Sequence, residues 1–553
     1  MILAARIDRL GPEDKRLLQT AAVIGKDVPL GLLEAIAEEP EEELRRGLER
    51  LQAAEFVHET SLYPEAEYTF THALTHEVTY GGLLQERRRE LHARVVGAIE
   101  RLHPERLGEQ MERLAHHAVR GEVWERAVGY LREAGLRAAA RGASRDAEGH
   151  LEGALGALRH LPEDRAAVEL AIDMRLDMRS ILMPLREMDR ISRHLDEAER
   201  LAGAIEDQRR LAGVWNYRVS QCLNGGEHGE ALRYARLAVE GAGALGDISL
   251  IVPAENSLAM TLWLRGEYGE ACRLFEAIVN RLVGDLARER FGQANLPSVL
   301  ARCILAACRA DQGRFEEAVR RAEEALEMAE SAGQTYSRGS ALMILGWVHE
   351  RQGNLAGAVA ALERSREIAR ATQMAPAATG GGIDSTLAAV YARTGQTREA
   401  LELVGEWDRA VRAQGAFRLY VERTCILAGT AYLLAGYLGR AREWADEGLR
   451  ARERGARAYE GDALHLLGEI AAATDPPELD RAEVLYREAL ALAGEKGFRP
   501  LAAHCHLSLG RLFARTARRR EAEAHLTTGA QLYRELDMRF WPEQAEAALR
   551  ALT

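Results

Sequence analysis

The sequence is short of lysine, of aromatic residues and of long apolar runs, and each shortage excludes something. Lysine stands only at positions 15, 26 and 496, so the 73 basic residues are almost all arginine, a matter of codon usage before chemistry. Acidic residues number 85 and the formal charge is −12. A protein that grips nucleic acid by neutralising phosphates carries the opposite balance, which disfavours nucleic acid as a partner. Aromatics make up 6% of the chain, while Ala, Leu, Glu and Arg dominate, a mixture that favours helix. No apolar run approaches the ~20 residues of a membrane span, so no membrane partner is expected. Cysteines 222, 272, 303, 308, 425 and 505 form no Cys-x-x-Cys pair. They read as reduced, buried thiols in a cytoplasmic protein. The opening, Met1 to Arg6, becomes charged too early for a signal peptide.

Catalytic signatures are equally scarce. The one Gly-Lys pair, Gly25-Lys26, is followed by Asp27 and lacks the flanking pattern of a phosphate-binding loop. His504-Cys505-His506 and His116-His117 place neighbours on different sides of a helix, where they share an ion poorly, so packing is the expected role. Arg87-Arg88-Arg89 and Arg518-Arg519-Arg520 read as solvated faces. No acid pair stands out from the general richness in Asp and Glu. No catalytic residue, metal or cofactor is expected.

What the sequence does contain is a repeat. At 553 residues the chain exceeds one compact core. A glycine, an apolar residue two on, an anchor alanine and then apolar or small positions recur through the chain. Examples are Gly266-x-Tyr268, Ala271, Phe275, Ile278 and Gly353-x-Leu355, Ala358, Leu362, Ser365. The anchors fall at Ala231, Ala271, Ala318, Ala358, Ala400, Ala441, Ala482 and Ala522, close to 40 residues apart, with a longer step from 271 to 318. The last two units lose the glycine. About twelve residues before the anchors runs a second pattern: Leu258-Ala259, Leu305-Ala306, Leu345-Gly346, Leu387-Ala388 and Leu509-Gly510. Leu467-Gly468 falls two residues early, across the insertion Thr474-Asp475-Pro476-Pro477. Small residues on helix A and the anchor on helix B let two backbones approach, and the glycine between them ends helix A. One hairpin cannot bury its face alone, so hairpins stack. These residues at this spacing resemble the tetratricopeptide repeat (TPR). The expected fold is all-α: a TPR-like α-α superhelical solenoid of period near 40, with helices about a turn longer than usual. Weaker units occur earlier, as in Trp124-Ala127-Leu131-Ala134, Ala147-Leu151-Ala154 and Met188-Ile191-Leu195-Ala198.

Residues 1–100 leave the pattern. Gly11-Pro12-Glu13-Asp14 predicts a helix start; Val28-Pro29-Leu30 predicts a second through Ile36, and Pro40 a third. Phe56-Val57-His58 and Tyr68-Thr69-Phe70, flanking a turn-prone stretch with Pro64, predict a hairpin. Three helices and a hairpin make a small winged-helix domain. Its third helix would be the DNA reader, yet residues 38–50 hold six Glu against three Arg, which disfavours DNA. The expected division is a winged-helix-like domain with a linking helix over 1–104, degenerate repeats over 105–205 and the main array over 206–553.

Phe70-x-His72-x-Leu74-x-x-Glu77-Val78-x-Tyr80, Leu83-Leu84, Arg88, Leu91-His92, the opening Leu3 to Leu10, and Ala21-Ala22-Val23-Ile24-Gly25 resemble a bacterial class of signalling proteins. So do Leu114-Ala115-His116-His117, Gly121-Glu122-Val123-Trp124 and Phe540-Trp541. In that class an adenylate/guanylate cyclase domain precedes a STAND-type AAA ATPase and a TPR array. This chain is similar to the carboxy-terminal, winged-helix plus TPR half, and begins about where the ATPase would end. The resemblance implies that His72 helps sense a nucleotide phosphate; by itself the residue reads as a helix-start or packing histidine.

Asn216 and Asn256 each lie fifteen residues before their anchors, the same helix-A position in neighbouring repeats. They are candidates to hold an extended peptide's backbone, and Trp215 and Arg423 are candidates to extend that groove. The expected function is a non-catalytic protein–protein interaction and regulatory module. Its partners would be a protein or peptide in the groove and an ATPase or cyclase domain in cis or trans. The alternatives are a fragment or subunit of a cyclase–ATPase enzyme, and a transcriptional regulator.

Overall fold

The computed structural model describes residues 2–61, 66–185, 187–371, 382–414 and 421–552. The chain divides into two compact units, Met1–Asp207 and Gln208–Thr553.

In the first unit the order is α1 (Ile2–Asp8), α2 (Pro12–Ile24), β1 (Asp27–Pro29), α3 (Leu30–Ile36), α4 (Glu41–Ala53), β2 (Val57–Ser61) and β3 (Glu67–Phe70). There follow α5 (Ala73–Gly81), α6 (Gln85–Leu102), α7 (Met111–Arg120), α8 (Trp124–Ala140), α9 (Ser144–Leu158), α10 (Arg165–Leu185) and α11 (Met188–Ala204). Helix α2 opens at Pro12, where a missing N–H is no loss. The expected hairpin is present as β2 and β3, paired antiparallel; Pro64 lies outside the described residues. One element differs from expectation. Val28-Pro29 does not begin a helix but forms β1, antiparallel to β3, giving a sheet of order β1-β3-β2. Pro29 is tolerated because it ends an edge strand, where the absent N–H breaks no ladder. Leu17, Leu18, Leu33, Leu48, Leu51 and Phe70 form this unit's core with Val95, Val96 and Ile99 of α6.

The second unit is an all-α, TPR-like array of helix hairpins: α12 (Gln208–Gly225) with α13 (His228–Leu245), α14 (Ile248–Leu264) with α15 (Tyr268–Arg281), α16 (Pro297–Asp311) with α17 (Phe315–Ser331), and α18 (Thr335–Gln352) with α19 (Leu355–Ala371). The series continues as α20 (Gly382–Arg393) with α21 (Thr397–Gln414), α22 (Val421–Leu434) with α23 (Leu438–Arg450), α24 (Glu460–Ala473) with α25 (Leu479–Lys496), and α26 (Arg499–Arg515) with α27 (Arg519–Glu535), closed by α28 (Pro542–Arg550).

All eight anchor alanines lie on B helices and are fully buried. A Cβ at Gly510 would sit 2.5 Å from Leu526 Cγ, and one at Gly468 2.6 Å from the Tyr486 ring. Leu526 and Tyr486 each stand four residues after their anchors, so a small residue on helix A receives a large one on helix B. That complementarity sets the phase of these hairpins, whereas at the anchors Ala231, Ala318 and Ala441 the residue four on is itself alanine. Glycines 226, 266, 313, 353, 395 and 436 turn the chain at φ between 79° and 84°, a region that costs glycine little. In the last hairpin the same position is held by Ala517 at φ 58°. The long step from 271 to 318 accommodates residues 282–296, which include a 3₁₀ turn at Gly284–Arg288.

The second unit also folds back on itself. The N–H groups of Arg457 and Ala458 donate to Leu264 O at 3.2 and 3.3 Å, and the Trp263 and Tyr459 rings meet edge to face at 6.3 Å. Tyr268 packs on Phe498 at 4.8 Å. The second hairpin of this unit therefore touches the seventh and eighth, and the A-helix faces of the later hairpins enclose a space.

Candidate functional site

That space is a cavity of about 310 Å³ lined by α18, α20, α22, α24, α26 and α28, at the small end of ligand-sized pockets. A-helix residues build it because each A helix turns its small face to its own B helix and leaves another face inward. Part of the lining is apolar: Ile426, Leu427 and Leu433 of α22, Leu466 of α24, and Leu501 and Leu507 of α26.

The rest of the lining is charged and ordered. Arg351 donates from Nε and Nη2 to Asp311 Oδ1 at 3.1 and 2.8 Å, and from Nη1 to Asp462 Oδ1 at 2.5 Å. Asp311 also accepts from Tyr268 Oη at 3.2 Å. Glu350, beside Arg351, accepts from Arg393 at 2.8 Å and from Arg423 at 3.1 Å. The Arg423 guanidinium lies 4.6 Å from the Trp347 ring centre and 5.8 Å from that of Tyr459, a geometry attractive to a cation. Burial pushes Glu350 up, but Arg393, Arg423 and Arg351 outweigh it and hold its carboxyl below the usual range. For Asp311 burial wins over Arg351 and the carboxyl is raised. Burial lowers Arg351, yet Asp462 and Asp311 more than compensate and keep it charged. Burial, then His465, Arg351 and Arg393, hold His504 well below the ordinary imidazole value, so it is neutral at pH 7. His504 accepts from or donates to Tyr533 Oη at 2.8 Å and meets the Trp541 ring at 4.6 Å. Two donors at the cavity, Arg423 Nε and Trp541 Nε1, are buried and have no hydrogen-bond acceptor.

Of the residues singled out in the sequence, Arg423 lines this cavity; Trp215, Asn216 and Asn256 do not. Asn216 Oδ1 accepts from Ser257 Oγ at 2.6 Å, tying α12 to α14. Asn256 is 5% exposed, too little to present its amide to an extended chain, and its Oδ1 has no partner. Trp215 packs on Ala238, Ala242 and Ala254. His72, in the first unit, is exposed at the N-cap of α5, where its side chain caps no N–H. His117 is buried rather than displayed. In the 504–506 stretch His504 reaches the cavity, Cys505 sits in the core, and His506 Nδ1 lies 2.9 Å from His525 Nδ1.

Glu350, Arg351, Arg393 and Asp462 escaped sequence reasoning, His504 was expected only to pack and Trp541 was named only within the family resemblance, although a signal existed. Asp311, Arg351 and Arg393 each stand seven residues before an anchor alanine, a charged position in three successive repeats. Arg423 and His504 each stand eighteen before theirs, and Asp462 does so once the two-residue insertion is allowed for. Among the described residues no group of three or more His, Cys, Asp or Glu is placed to hold a metal ion, and no helix is long and apolar enough to cross a membrane.

A tetratricopeptide-repeat family model matches residues 297–371, the stretch from α16 to α19. An uncharacterized protein of Rhizobium meliloti (strain 1021) is 28% identical over 172 residues; the match covers 31% of this chain and only 17% of that protein's length. Among solved structures, a Rap protein complexed with competence and sporulation factor is 16% identical at a TM-score of 0.48, covering 67% of this chain and 98% of its own. A STAND protein with a tetratricopeptide repeat sensor from Pyrococcus horikoshii is 13% identical at a TM-score of 0.32, covering 99% of this chain and 65% of its own.

Proposed function

We propose that this chain is a non-catalytic interaction and regulatory module whose second unit receives a protein or peptide segment in the cavity enclosed by its A helices. The observation that carries this reading is the convergence of five successive A helices and α28 on one cavity whose lining combines apolar side chains with paired charges. In this reading the first unit transmits occupancy to a STAND-type ATPase or a cyclase domain, in cis or in trans. Its helices α2 to α4 with the sheet β1-β3-β2 support a winged-helix assignment. Helix α4 opens with Glu41, Glu42 and Glu43, which favours a protein over a DNA contact.

The test is photo-crosslinking in cells from a benzoylphenylalanine placed at Leu434, which is half exposed and lines the cavity. A discrete protein or peptide adduct is expected, and Thr430→Trp, which fills the cavity from an accessible position, abolishes it. No adduct, or one indifferent to Thr430→Trp, overturns the reading.

A further inference from the structure

Two thiols of the second unit meet across a pair of helices. Cys272 lies on α15 and Cys308 on α16, and both are free. On α15, Tyr268, Cys272 and Glu276 stand four residues apart and share one face. On α16, Cys308 and Asp311 stand three apart and share a face likewise. Two contacts fix how these faces oppose each other. Tyr268 Oη donates to Asp311 Oδ2 at 3.2 Å, and Arg309 Nη2 donates to Glu276 Oε1 at 2.6 Å. Between them the Cys308 thiol donates to the Cys272 sulfur. The two sulfurs differ in their surroundings. Cys308 is fully buried, and burial, then Cys272, raise it well above the ordinary thiol value. Cys272 is 6% exposed, and the Cys308 thiol, helped by Arg309, holds it below that value against its own burial. Cys222 has the same 6% exposure, yet burial and Glu227 push it up to about 11. Exposure therefore does not set Cys272 apart; its neighbours on α16 do. A thiol that ionises readily beside a second thiol can be oxidised and then resolved by its neighbour.

We infer that Cys272 and Cys308 are a modification site, joined in a reversible disulfide when the chain meets a hydroperoxide. The Cys272 thiolate attacks the outer peroxide oxygen and breaks the O–O bond. The departing oxygen takes up the proton that Cys272 has lost and leaves as an alcohol, or as water from hydrogen peroxide. Cys272 is then a sulfenic acid. The Cys308 sulfur attacks the Cys272 sulfur, the S–S bond forms and the S–O bond breaks. The Cys308 proton leaves with the hydroxide as water. Two thiols thus lose two electrons and one peroxide gains them. The bond ties the B helix of the second hairpin to the A helix of the third, one turn from the Tyr268–Asp311 contact. Its formation does not depend on what the cavity binds.

The experiment treats the full, reduced chain with a small excess of hydrogen peroxide, blocks remaining thiols with N-ethylmaleimide, and reads the peptides by mass spectrometry without reduction. A peptide pair joined through Cys272 and Cys308 is expected, lighter than its separate parts by one hydrogen per thiol. Dithiothreitol should separate it, and Cys222 should remain open to N-ethylmaleimide. Cys308→Ser, whose hydroxyl keeps a donor beside Cys272, should stop at the sulfenic acid, which dimedone captures at Cys272. Cys272→Ser should leave Cys308 unoxidised. In the oxidised wild-type chain, hydrogen exchange in α15 and α16 should slow by at least about threefold, with α2 to α6 unchanged. Oxidation that leaves Cys272 and Cys308 unlinked, oxidation of Cys222 at the same dose, or unchanged exchange in α15 and α16 overturns the inference. These wild-type readings decide the matter even where a variant fails to fold.

Discussion

Two buried polar clusters, one in each unit, are held by opposite means. In the first, His92 and His117 are 1% and 2% exposed, with their Nδ1 atoms 2.8 Å apart. Tyr80 Oη lies 3.0 Å from His92 Nε2 and accepts from Arg120 at 3.4 Å. Only one proton fits between the two Nδ1 atoms, and burial keeps both rings neutral at pH 7. In the second unit the cluster at the cavity is ionised, Arg351 with Asp311 and Asp462, and Glu350 with Arg393 and Arg423. A neutral relay tolerates the loss of a member more easily than an ion network, in which the remaining partner is a bare buried charge. The difference teaches where each cluster is vulnerable: the first to protonation, the second to loss of a charge.

The largest effect expected from that contrast is at Arg351. Arg351→Ala leaves Asp311 and Asp462 without their cation and should destabilise the second unit by about 3–5 kcal/mol. Hydrogen exchange resolved by peptide would show α16, α18 and α24 losing protection while α2 to α6 keep theirs. Loss spread equally over both units would erase the distinction between them.

Next comes pH. Burial, then His116, Arg120 and Arg88, bring His92 down to about 4 from an ordinary 6.5. Burial, then His92 and His116, bring His117 down to about 2. The unfolded chain binds these protons more readily than the folded one, so stability is fully present above pH 6.5 and is lost as pH falls toward the folded values. Between pH 7 and 5 the loss is at most about 2 kcal/mol per histidine. Glu350 behaves differently: its carboxyl is already held below 4.5, so its ion pairs persist through that window. Exchange corrected for its intrinsic pH dependence should rise in α6 and α7 between pH 6.5 and 5; a rise in α18 would report His349, which burial also holds low, and not Glu350.

The hairpins can be probed by overpacking. A side chain at Gly510 has no room beside Leu526, so Gly510→Leu should cost about 1–3 kcal/mol, read as a lower midpoint in urea. This tests the part of the fold that was most legible. The anchors and the small helix-A residues sit in fixed register because each hairpin repeats one local packing solution. The cavity was legible only in fragments. Arg423 could be picked out, but which face of an A helix turns inward is decided by coiling across many repeats. Arg351 and Asp462 meet across 111 residues, and no local pattern contains both. Trp541 arrives from the C-terminal cap, beyond the last repeat. Asn216 and Asn256 shared a repeat position, yet common phase did not bring them to the cavity, because they belong to earlier hairpins that the fold-back places elsewhere. β1 was missed because Val28-Pro29 carries a strand and a helix signal at once, and only the presence of β3 decides between them.

The smallest effect concerns the turns. Ala517 occupies, at φ 58°, the position that glycine fills in six earlier hairpins, and Glu122 in the first unit adopts φ 51° before α8. A Cβ in this region crowds the following carbonyl by about 1–2 kcal/mol, whereas glycine loses more chain entropy on folding, by about 0.4–1 kcal/mol. Ala517→Gly should therefore stabilise the second unit by about 0.5–1 kcal/mol, a rise of a degree or two in Tm for a unit of this size. Glu122→Gly carries a different burden, since Glu122 also pairs with Arg89 at 3.1 Å. Both partners are largely exposed, so that pair offsets little of the gain. Equal gains at the two sites would mean that one turn chemistry governs both units despite their different interiors. A gain at Ala517 alone would mean that the first unit's turn is held by its charge pair and not by backbone preference.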